Sequence, residues 1–427
     1  MRATHLAVTS QMLARVKDSL AQCTSYKITL RSSSSRVMSM PPAIPPTPLS
    51  HQRLQSIDAL RGFVMLIMLL DHVRETFFMQ HQVTDPMAVE TTEPALFASR
   101  TLAHLCAPVF VLLTGLSAWL YGEKRQSRGE VSLFLFKRGL FLVVLEFTLV
   151  NFAWTFQVPP TVIYLQVIWA IGISMMALSA LIWLPRAGLL AVGLALIAGH
   201  NLLDGVHFDG TSPWHVPWAI AHDRTWLDIS ATLRLRTSYP VLPWIGVIAV
   251  GYWLGPWLHS ASTPALRQRR LLHAGCGALL GFVALRVING YGEAHWSIHP
   301  VLTQTLMSFF NITKYPPSLL FLTLTLGVGL LLLRAFERAG DPRWIGVLAM
   351  FGAAPMFFYL LHLYVLKLLY LGAVGVWGAN QGAYFGFETI AAVWLTSALL
   401  PLVLYPPVRW FARLKARRRD LAWLKYF

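Results

Sequence analysis

Long apolar runs separated by short polar loops fill most of the chain after residue 50. Ten of these runs have the length that a helix needs to cross roughly 30 Å of hydrocarbon. They lie near residues 57–79, 102–121, 134–155, 161–184, 187–203, 239–258, 271–290, 316–336, 344–370 and 386–411. The run 187–203 is short, and the run 344–370 is long and contains Pro355, where we expect a bend. The pattern predicts an all-α fold, a polytopic transmembrane helix bundle of about ten spans within a membrane domain covering residues 51–411.

The composition supports this interpretation. The chain has 427 residues, of which 56% are hydrophobic and 13% are charged, and its mean hydropathy is +0.54. A soluble chain of this length needs more polar surface. The 16 Trp and 24 Phe suit a surface in contact with lipid, with aromatic belts at the two interfaces. The lipid bilayer is therefore the first expected partner.

The basic residues indicate a topology rather than a nucleic-acid site. The formal net charge is +16, but Lys and Arg lie mainly in short loops between apolar runs and near the C-terminus. With both termini in the cytoplasm, the cytoplasmic side holds roughly three times as many Lys and Arg residues as the outer side. The cytoplasmic set before the tail is Lys124, Arg125, Arg128, Lys137, Arg138, Arg186, Arg267, Arg269, Arg270, Arg334, Arg338 and Arg343, and the outer set is Arg74, Arg100, Arg224, Arg234, Arg236 and Lys314. We therefore expect cytoplasmic N- and C-termini, a basic cytoplasmic tail over residues 412–427, and no nucleic-acid partner.

Residues 1–50 differ from the rest of the chain. They are rich in Ser, Arg and Pro, which predicts a disordered leader. The segment lacks the apolar core of a secretory signal. Two interpretations stay open: a targeting segment, or an upstream start codon with Met38 or Met40 as the natural first residue.

The predicted outer loops contain groups that are typical of functional loops. About 35 residues between the fifth and sixth runs include several Asp and His residues, and the loop after the seventh run adds Glu293, His295 and His299. A solvated loop is the plain alternative. No His pair has ligand spacing on a predicted helix, and the three Cys form neither a disulfide framework nor a zinc motif, so we expect no metal.

The first apolar run contains ionisable residues that a purely structural span avoids. Asp58, Arg61, Met65, Met68 and His72 follow the three-four spacing of one helix face. Arg61 and His72 are eleven residues apart, which places them about 16 Å apart along the helix axis on the same side. Charged groups inside a span indicate function by default. The alternative is an interfacial Asp58–Arg61 ion pair, with the helix ending at the outer surface near His72.

Several stretches carry a resemblance to a known family, the bacterial branch of the heparan-α-glucosaminide N-acetyltransferase catalytic-domain family. They are SIDALRG at 56–62, DHVR at 71–74, APVFVLLTG at 107–115, QVIWAIG at 166–172, HNLLDG at 200–205, YPVLPWIG at 239–246, KYPPS at 314–318 and FYLLH at 358–362. Together they cover about residues 53–411. The spacing from Arg61 to His72 also resembles the arginine and histidine pattern of the wider membrane acyltransferase group.

This resemblance implies a membrane acyltransferase of a bacterial inner membrane. Such an enzyme moves an acyl group, taken here as acetyl, from cytoplasmic acetyl-CoA or another acyl-CoA to a hydroxyl or amine of a sugar on the outer side. We assign the acyl-CoA site to Arg61, a fork donor for phosphates, together with Asp58. His72 is the predicted general base or acyl carrier, with Asp71 as the second catalytic candidate. Asp71 points about 100° away from His72 on a regular helix, so it is not expected to orient the His72 ring.

Five further residues are candidates for binding the acceptor, and each has a structural alternative. His104 could pair with Asp71 or His72, or lie at the interface. Asn201 and Asp204 could instead cap a helix end before a glycine, Lys314 could extend to the interface, and His362 could form a hydrogen bond between helices.

Two other classes of function remain open from the sequence. A secondary transporter also uses intramembrane Asp, Arg and His, although no inverted repeat is evident. A non-catalytic sensor or scaffold would tolerate apolar residues in place of the charges in the first run. The sequence leaves the oligomeric state open. It favours a cell-envelope glycan or small amino sugar over heparan sulfate as the acceptor, because no extra domain precedes the first run.

Overall fold

The computed structural model describes residues 49–125, 127–259, 261–418, 420–421 and 423–424. Apart from its last two residues, the predicted leader lies outside these ranges. The helices of the described residues are α1 Leu49–Phe77, α2 Pro94–Ala103, α3 Cys106–Gly122, α4 Arg128–Leu145, α5 Asn151–Thr155, α6 Val167–Leu181, α7 Arg186–Gly199, α8 His215–Ala221, α9 Leu242–Leu254, α10 Pro264–Ile288, α11 Leu302–Phe310, α12 Leu319–Ala339, α13 Arg343–Gly352, α14 Pro355–Trp377 and α15 Ile390–Arg417. A π-helical turn, Glu146–Val150, joins α4 to α5, and 3₁₀ turns at His200–Leu203 and Gly255–Leu258 follow α7 and α9.

Helices occupy all the predicted apolar runs, and the fold is mainly helical as predicted. Within the described residues, six helical stretches are long and apolar enough to cross a membrane: Pro94–Gly122, Arg186–Leu203, Pro264–Ile288, Leu319–Ala339, Pro355–Trp377 and Ile390–Arg417. The chain is therefore an integral, multi-pass membrane protein. The count of ten spans and the cytoplasmic location of both termini stay predictions.

The bounds of three predicted runs differ from the structure in an informative way. The run 344–370 is two helices, because α13 ends at Gly352 and α14 begins at Pro355. Proline fits the first turn of a helix, where its missing N–H is not needed, but it cannot continue one. The run 161–184 begins with a short strand, so its helix covers only Val167–Leu181, and α15 continues past residue 411 to Arg417.

Helix α1 lies in the interior of the helical bundle. It packs against α2, α3, α12, α13, α14 and α15. Ala59, Met65 and Leu69 on α1 are completely buried. The closest approach is to α13, where a Cβ atom on Gly62 would collide with the Leu348 carbonyl and a Cβ atom on Gly352 with the Asp58 carbonyl. The helix with the most unusual charges is thus shielded from lipid on most of its surface.

Helices α10 and α15 show the opposite pattern. Their large apolar side chains point outward, with Leu280 69% exposed, Leu402 69% and Val403 65%. Such faces are unfavourable in water and favourable against lipid tails. They form part of the outer surface of the bundle.

A small three-stranded sheet lies between the helices. Its strands are β1 Val162–Tyr164, β2 Trp226–Asp228 and β3 Arg234–Arg236, in the order β1-β3-β2. β3 pairs in parallel with β1 and antiparallel with β2, which places Arg236 between Tyr164 and Trp226. All three of these side chains line the cavity described next.

Candidate functional site

A cavity of about 1180 Å³ runs beside α1 between the helices. Ordinary small-molecule sites measure about 300–1000 Å³, so this space suits a large ligand or two ligands together. Asp58, Arg61, Met65, Met68 and His72 all line it. The prediction that these five residues share one helix face is confirmed, and that face forms one wall of the cavity.

One part of the cavity, which we name the Arg61 end, is rich in cations. Its residues are Asp58, Arg61, Ser117, Lys124, Arg125, Arg138 and Lys415. Arg61 donates hydrogen bonds to Asp58 Oδ1 at 2.7 Å, to Ser117 Oγ at 3.0 Å and to the carbonyl of Gly352 at 3.0 Å. These bonds hold the guanidinium against α3 and α13. The Asp58–Arg61 ion pair that the sequence left as an alternative is present, and both side chains remain open to the cavity.

His72 and His362 form a pair at the buried wall of the cavity. His72 Nδ1 lies 2.6 Å from His362 Nε2, and His362 Nδ1 lies 2.9 Å from the carbonyl oxygen of Phe358. A carbonyl only accepts, so neutral His362 carries its proton on Nδ1 and its Nε2 is an acceptor. His72 must then donate from Nδ1, which leaves the lone pair of its Nε2 unprotonated. His72 lines the cavity, whereas His362 lies behind it.

Asp71 does not contact the His72 ring and instead binds three cations. Its carboxylate lies 3.0 Å from Arg74, 3.0 Å from Arg100 and 3.4 Å from Lys314. All four side chains are buried. The expectation that Asp71 points away from the His72 ring agrees with this geometry, and the cluster gives Asp71 a structural task beside any catalytic one.

Lys314 lies on a loop before α12 that other side chains hold in place. Its backbone N–H donates to Asp85 at 3.1 Å, and the neighbouring Thr313 N–H donates to Glu293 at 2.6 Å. Burial by itself lowers the pKa of the Lys314 ammonium, but the adjacent Tyr315 and Asp71 groups outweigh burial and raise that pKa above its usual value. Lys314 therefore stays charged at neutral pH.

The part of the cavity near this loop, which we name the Lys314 end, combines cations with aromatic rings. Its residues are Tyr164, Arg224, Trp226, Arg236, Lys314 and Tyr315. The guanidinium of Arg224 lies 4.4 Å from the centre of the Tyr315 ring, and that of Arg236 lies 5.0 Å from the Trp226 ring. The two ends of one cavity are thus both basic.

The five residues predicted to bind the acceptor lie in different places in the structure. Lys314 lines the cavity, and His362 supports His72 from behind. His104 is buried beside Phe321, and no hydrogen bond joins it to Asp71 or His72 within the described residues. Asn201 donates to Asp204 at 2.9 Å, and neither of these two residues is among those that line the cavity.

Sequence reasoning missed the partners that these residues meet in space. Arg74 and Arg100 counted only as outer-loop charges, although they neutralise Asp71. Arg224 and Arg236 counted in the same way, although they line the cavity. Lys415, assigned to a basic tail, lies at the Arg61 end. For the four arginines, the available signal was their presence on the side that ordinarily contains few basic residues.

The fold and the site define the general class: a multi-pass helical membrane protein with a histidine pair beside a large basic cavity. Residues 53–287 match the family described as heparan-alpha-glucosaminide N-acetyltransferase, catalytic. The chain belongs to this family, which confirms the predicted family and makes the chain a transmembrane acetyltransferase. The match includes Arg61 and His72 and ends before Lys314 and His362. No curated protein matches the chain.

Proposed function

We propose that this protein transfers an acetyl group from acetyl-CoA, bound at the Arg61 end, to a sugar hydroxyl or amine bound at the Lys314 end. The observation that carries the proposal is the single cavity that exposes Arg61 and His72 on the same wall. The acceptor that we favour is a cell-envelope glycan or a small amino sugar of a bacterial cell.

The Arg61 end has the charge that a CoA donor requires. CoA carries phosphates, and a guanidinium binds phosphate oxygens through two parallel hydrogen bonds. Five cations line the cavity here, and two of them, Arg61 and Lys415, interact with the Asp58 carboxylate. The other three are Lys124, Arg125 and Arg138. A phosphate that reaches this end can replace Asp58 as a partner of Arg61, because both side chains line the cavity and are partly exposed.

The length of the donor also fits. Arg61 and His72 lie about 16 Å apart along α1, given the rise of a helix. The thirteen or so bonds between the phosphate and the sulfur of an extended phosphopantetheine arm span about 16 Å, at roughly 1.2 Å per bond. An arm with its phosphate on Arg61 therefore brings its thioester to His72.

The histidine pair supplies the proton chemistry. His72 Nε2 removes the proton from the acceptor hydroxyl or amine, the acceptor atom attacks the thioester carbonyl, and the carbon–sulfur bond breaks. The CoA sulfur leaves as a thiolate and takes the proton from His72 Nε2. In the two-step form, Nε2 itself attacks the thioester carbonyl, the carbon–sulfur bond breaks, and the CoA thiolate leaves. The acceptor atom then attacks the acetyl carbon, the bond from Nε2 to that carbon breaks, and the acceptor proton passes to the thiolate. In both forms the His362 ring holds the His72 Nδ1 proton.

The Lys314 end suits a polar acceptor with a ring. Lys314, Arg224 and Arg236 donate hydrogen bonds to hydroxyl or anionic groups, and Tyr164, Trp226 and Tyr315 offer flat faces for a sugar ring. We place this end on the outer side and the Arg61 end on the cytoplasmic side of the inner membrane. The excess of Lys and Arg in the loops on the Arg61 side supports this orientation.

The decisive experiment measures donor binding and transfer separately on the purified full chain. The wild type is expected to bind acetyl-CoA and to acetylate glucosamine, used as a probe acceptor. Arg61→Ala should weaken acetyl-CoA binding by about ten-fold or more, the size of a lost charged hydrogen bond, and Arg61→Lys should restore only part of it. Arg269→Ala, an exposed cation that does not line the cavity, is the matched control.

His72→Ala should bind acetyl-CoA normally and lose at least about a hundred-fold in transfer. His81→Ala, which removes another histidine just after α1, should keep both properties. If the wild type fails to bind acetyl-CoA, or if His72→Ala still transfers the acetyl group, the proposal is wrong. Uptake of acceptor into vesicles without acetylation would favour the transporter class instead.

A further inference from the structure

Three potential metal ligands converge outside the large cavity. His200 is in the 3₁₀ turn after α7, Asp204 directly follows that turn, and His222 directly follows α8. One ligand atom from each residue lies within 4.8 Å of those of the other two. None of the three is among the residues that line the large cavity. We propose that His200, Asp204 and His222 form a binding site for a divalent transition metal, with zinc as the best fit.

The distance between the His222 and Asp204 ligand atoms suits a tetrahedral ion. His222 Nε2 lies 3.4 Å from Asp204 Oδ1, which is longer than a normal N–H to oxygen hydrogen bond. Two ligand atoms bound to one tetrahedral zinc at about 2.1 Å lie about 3.4 Å apart. His222 Nε2 also lies 3.1 Å from the His200 carbonyl oxygen, a contact that the metal replaces. Two imidazoles and one carboxylate form a donor set that zinc accepts, with a fourth position for water beside the half-exposed Asp204.

The His200 ring is deeply buried and poorly paired. Its side chain is buried, at 1% exposure, and neither ring nitrogen makes a hydrogen bond of normal geometry with the described residues. Buried polar groups in folded proteins are ordinarily paired. An ion bound between the His200 ring, the Asp204 carboxylate and the His222 ring would give the His200 ring its missing partner.

Neighbouring groups orient the ligands. Asn201 Nδ2 donates to Asp204 Oδ2 at 2.9 Å, which leaves Oδ1 for the metal. His222 Nδ1 faces Asp223 Oδ1 at 3.5 Å, and the other Asp223 oxygen lies 3.0 Å from His207 Nδ1. Histidine ligands commonly have a carboxylate behind the nitrogen that does not bind the metal. The arrangement around His222 has this form.

The position of the cluster indicates a structural role. The Asn201 amide oxygen accepts from the backbone N–H of Leu319, the first residue of α12, close to the loop that carries Lys314. Arg224 follows His222 by two residues and covers the Tyr315 ring. A metal held by His200, Asp204 and His222 would therefore connect α7 to the segment that places Arg224 at the Lys314 end.

The test uses the purified full chain after chelation and removal of the chelator. Titration with zinc chloride, followed by calorimetry and by elemental analysis of the desalted protein, should give about one zinc per chain. Zinc should also raise the thermal unfolding midpoint, whereas magnesium, which prefers oxygen ligands, should not. His200→Ala and His222→Ala should each lose the bound zinc. Asp223→Asn should weaken zinc binding about ten- to hundred-fold.

His295→Ala is the control, because His295 is an exposed histidine on a different loop, and it should bind zinc as the wild type does. If the alanine variants do not fold, Asp204→Asn keeps the size of the side chain and decides the question through its loss of zinc. The proposal is overturned if the wild type takes up no zinc, or if Asp204→Asn and His295→Ala retain equal amounts. Either result leaves acetyl-CoA binding, measured in the same samples, as an independent test of the acetyl transfer.

Discussion

The two ends of the cavity contain the same types of charged residue in different arrangements. Beside the Lys314 end, the Asp71 carboxylate pairs with Lys314 and with Arg74 and Arg100, which do not line the cavity. The side chains of Arg74, Arg100 and Lys314 are 3%, 6% and 5% exposed. At the Arg61 end, the Arg61 and Asp58 side chains are 16% and 36% exposed. Buried charges need partners, whereas partly exposed ones can exchange a partner for a ligand. The comparison indicates that one cluster maintains the structure and the other is available to bind an anion.

The largest expected difference between the ends is in stability. Asp71→Asn removes the carboxylate charge that Arg74, Arg100 and Lys314 share and leaves only Glu75 beside the two arginines, and should lower the free energy of unfolding by about 3–5 kcal/mol. Asp58→Asn, on the same helix, should lower it by no more than about 1 kcal/mol, because its ion pair is partly exposed. Thermal unfolding in detergent measures both. Equal losses for the two variants would contradict the distinction between the ends.

The next effect concerns the histidine pair beside Asp71. Without the His362 acceptor, the proton of His72 is no longer held on Nδ1, and the reactive Nε2 lone pair is lost in part of the molecules. His362→Ala should reduce acetyl transfer roughly a hundred-fold and leave acetyl-CoA binding unchanged. His104→Ala removes a buried histidine that makes no hydrogen bond to His72, and serves as the matched control. Similar losses of transfer in both variants would argue against a positioning role for His362.

A smaller effect should follow from loosening the contact between α1 and α13 beside Arg61. Gly352→Ala forces α13 away from α1, where the Gly352 carbonyl accepts from Arg61. We expect a loss of about 1–3 kcal/mol in unfolding free energy, with weaker acetyl-CoA binding. Gly346→Ala lies on the same helix, where an added Cβ meets no atom within 4 Å. It should be neutral or stabilising by up to about 1 kcal/mol, and a loss like that of Gly352→Ala would exclude the steric explanation.

The smallest effect is the response to salt. Raising ionic strength shortens the screening length from about 10 Å at 0.1 M to about 3 Å at 1 M. The affinity for acetyl-CoA depends on the cations that line the Arg61 end, and it should fall several-fold over that range. The thermal unfolding midpoint of the wild type should change little, because salt screens the buried charges of the Asp71 cluster much less. If the affinity is independent of salt, the cations of the Arg61 end do not bind the donor phosphates.

The sequence by itself determined the features that depend on local periodicity. Apolar runs predicted the helices, because a helix that crosses or fills a membrane must be apolar over its whole length. The three-four spacing placed Asp58, Arg61 and His72 on one face, and this face lines the cavity. Within a single helix, the distance between two side chains follows from the rise per residue alone.

Only the tertiary structure decided which partners these residues meet. His362 contacts His72 across 290 positions of the chain, and Lys314 contacts Asp71 across 243. The gathering of His200, Asp204 and His222 also depends on how the helices and loops pack. Contacts between distant segments leave no periodic pattern in a single sequence, because they arise from the packing of whole elements rather than from the conformation of neighbouring residues.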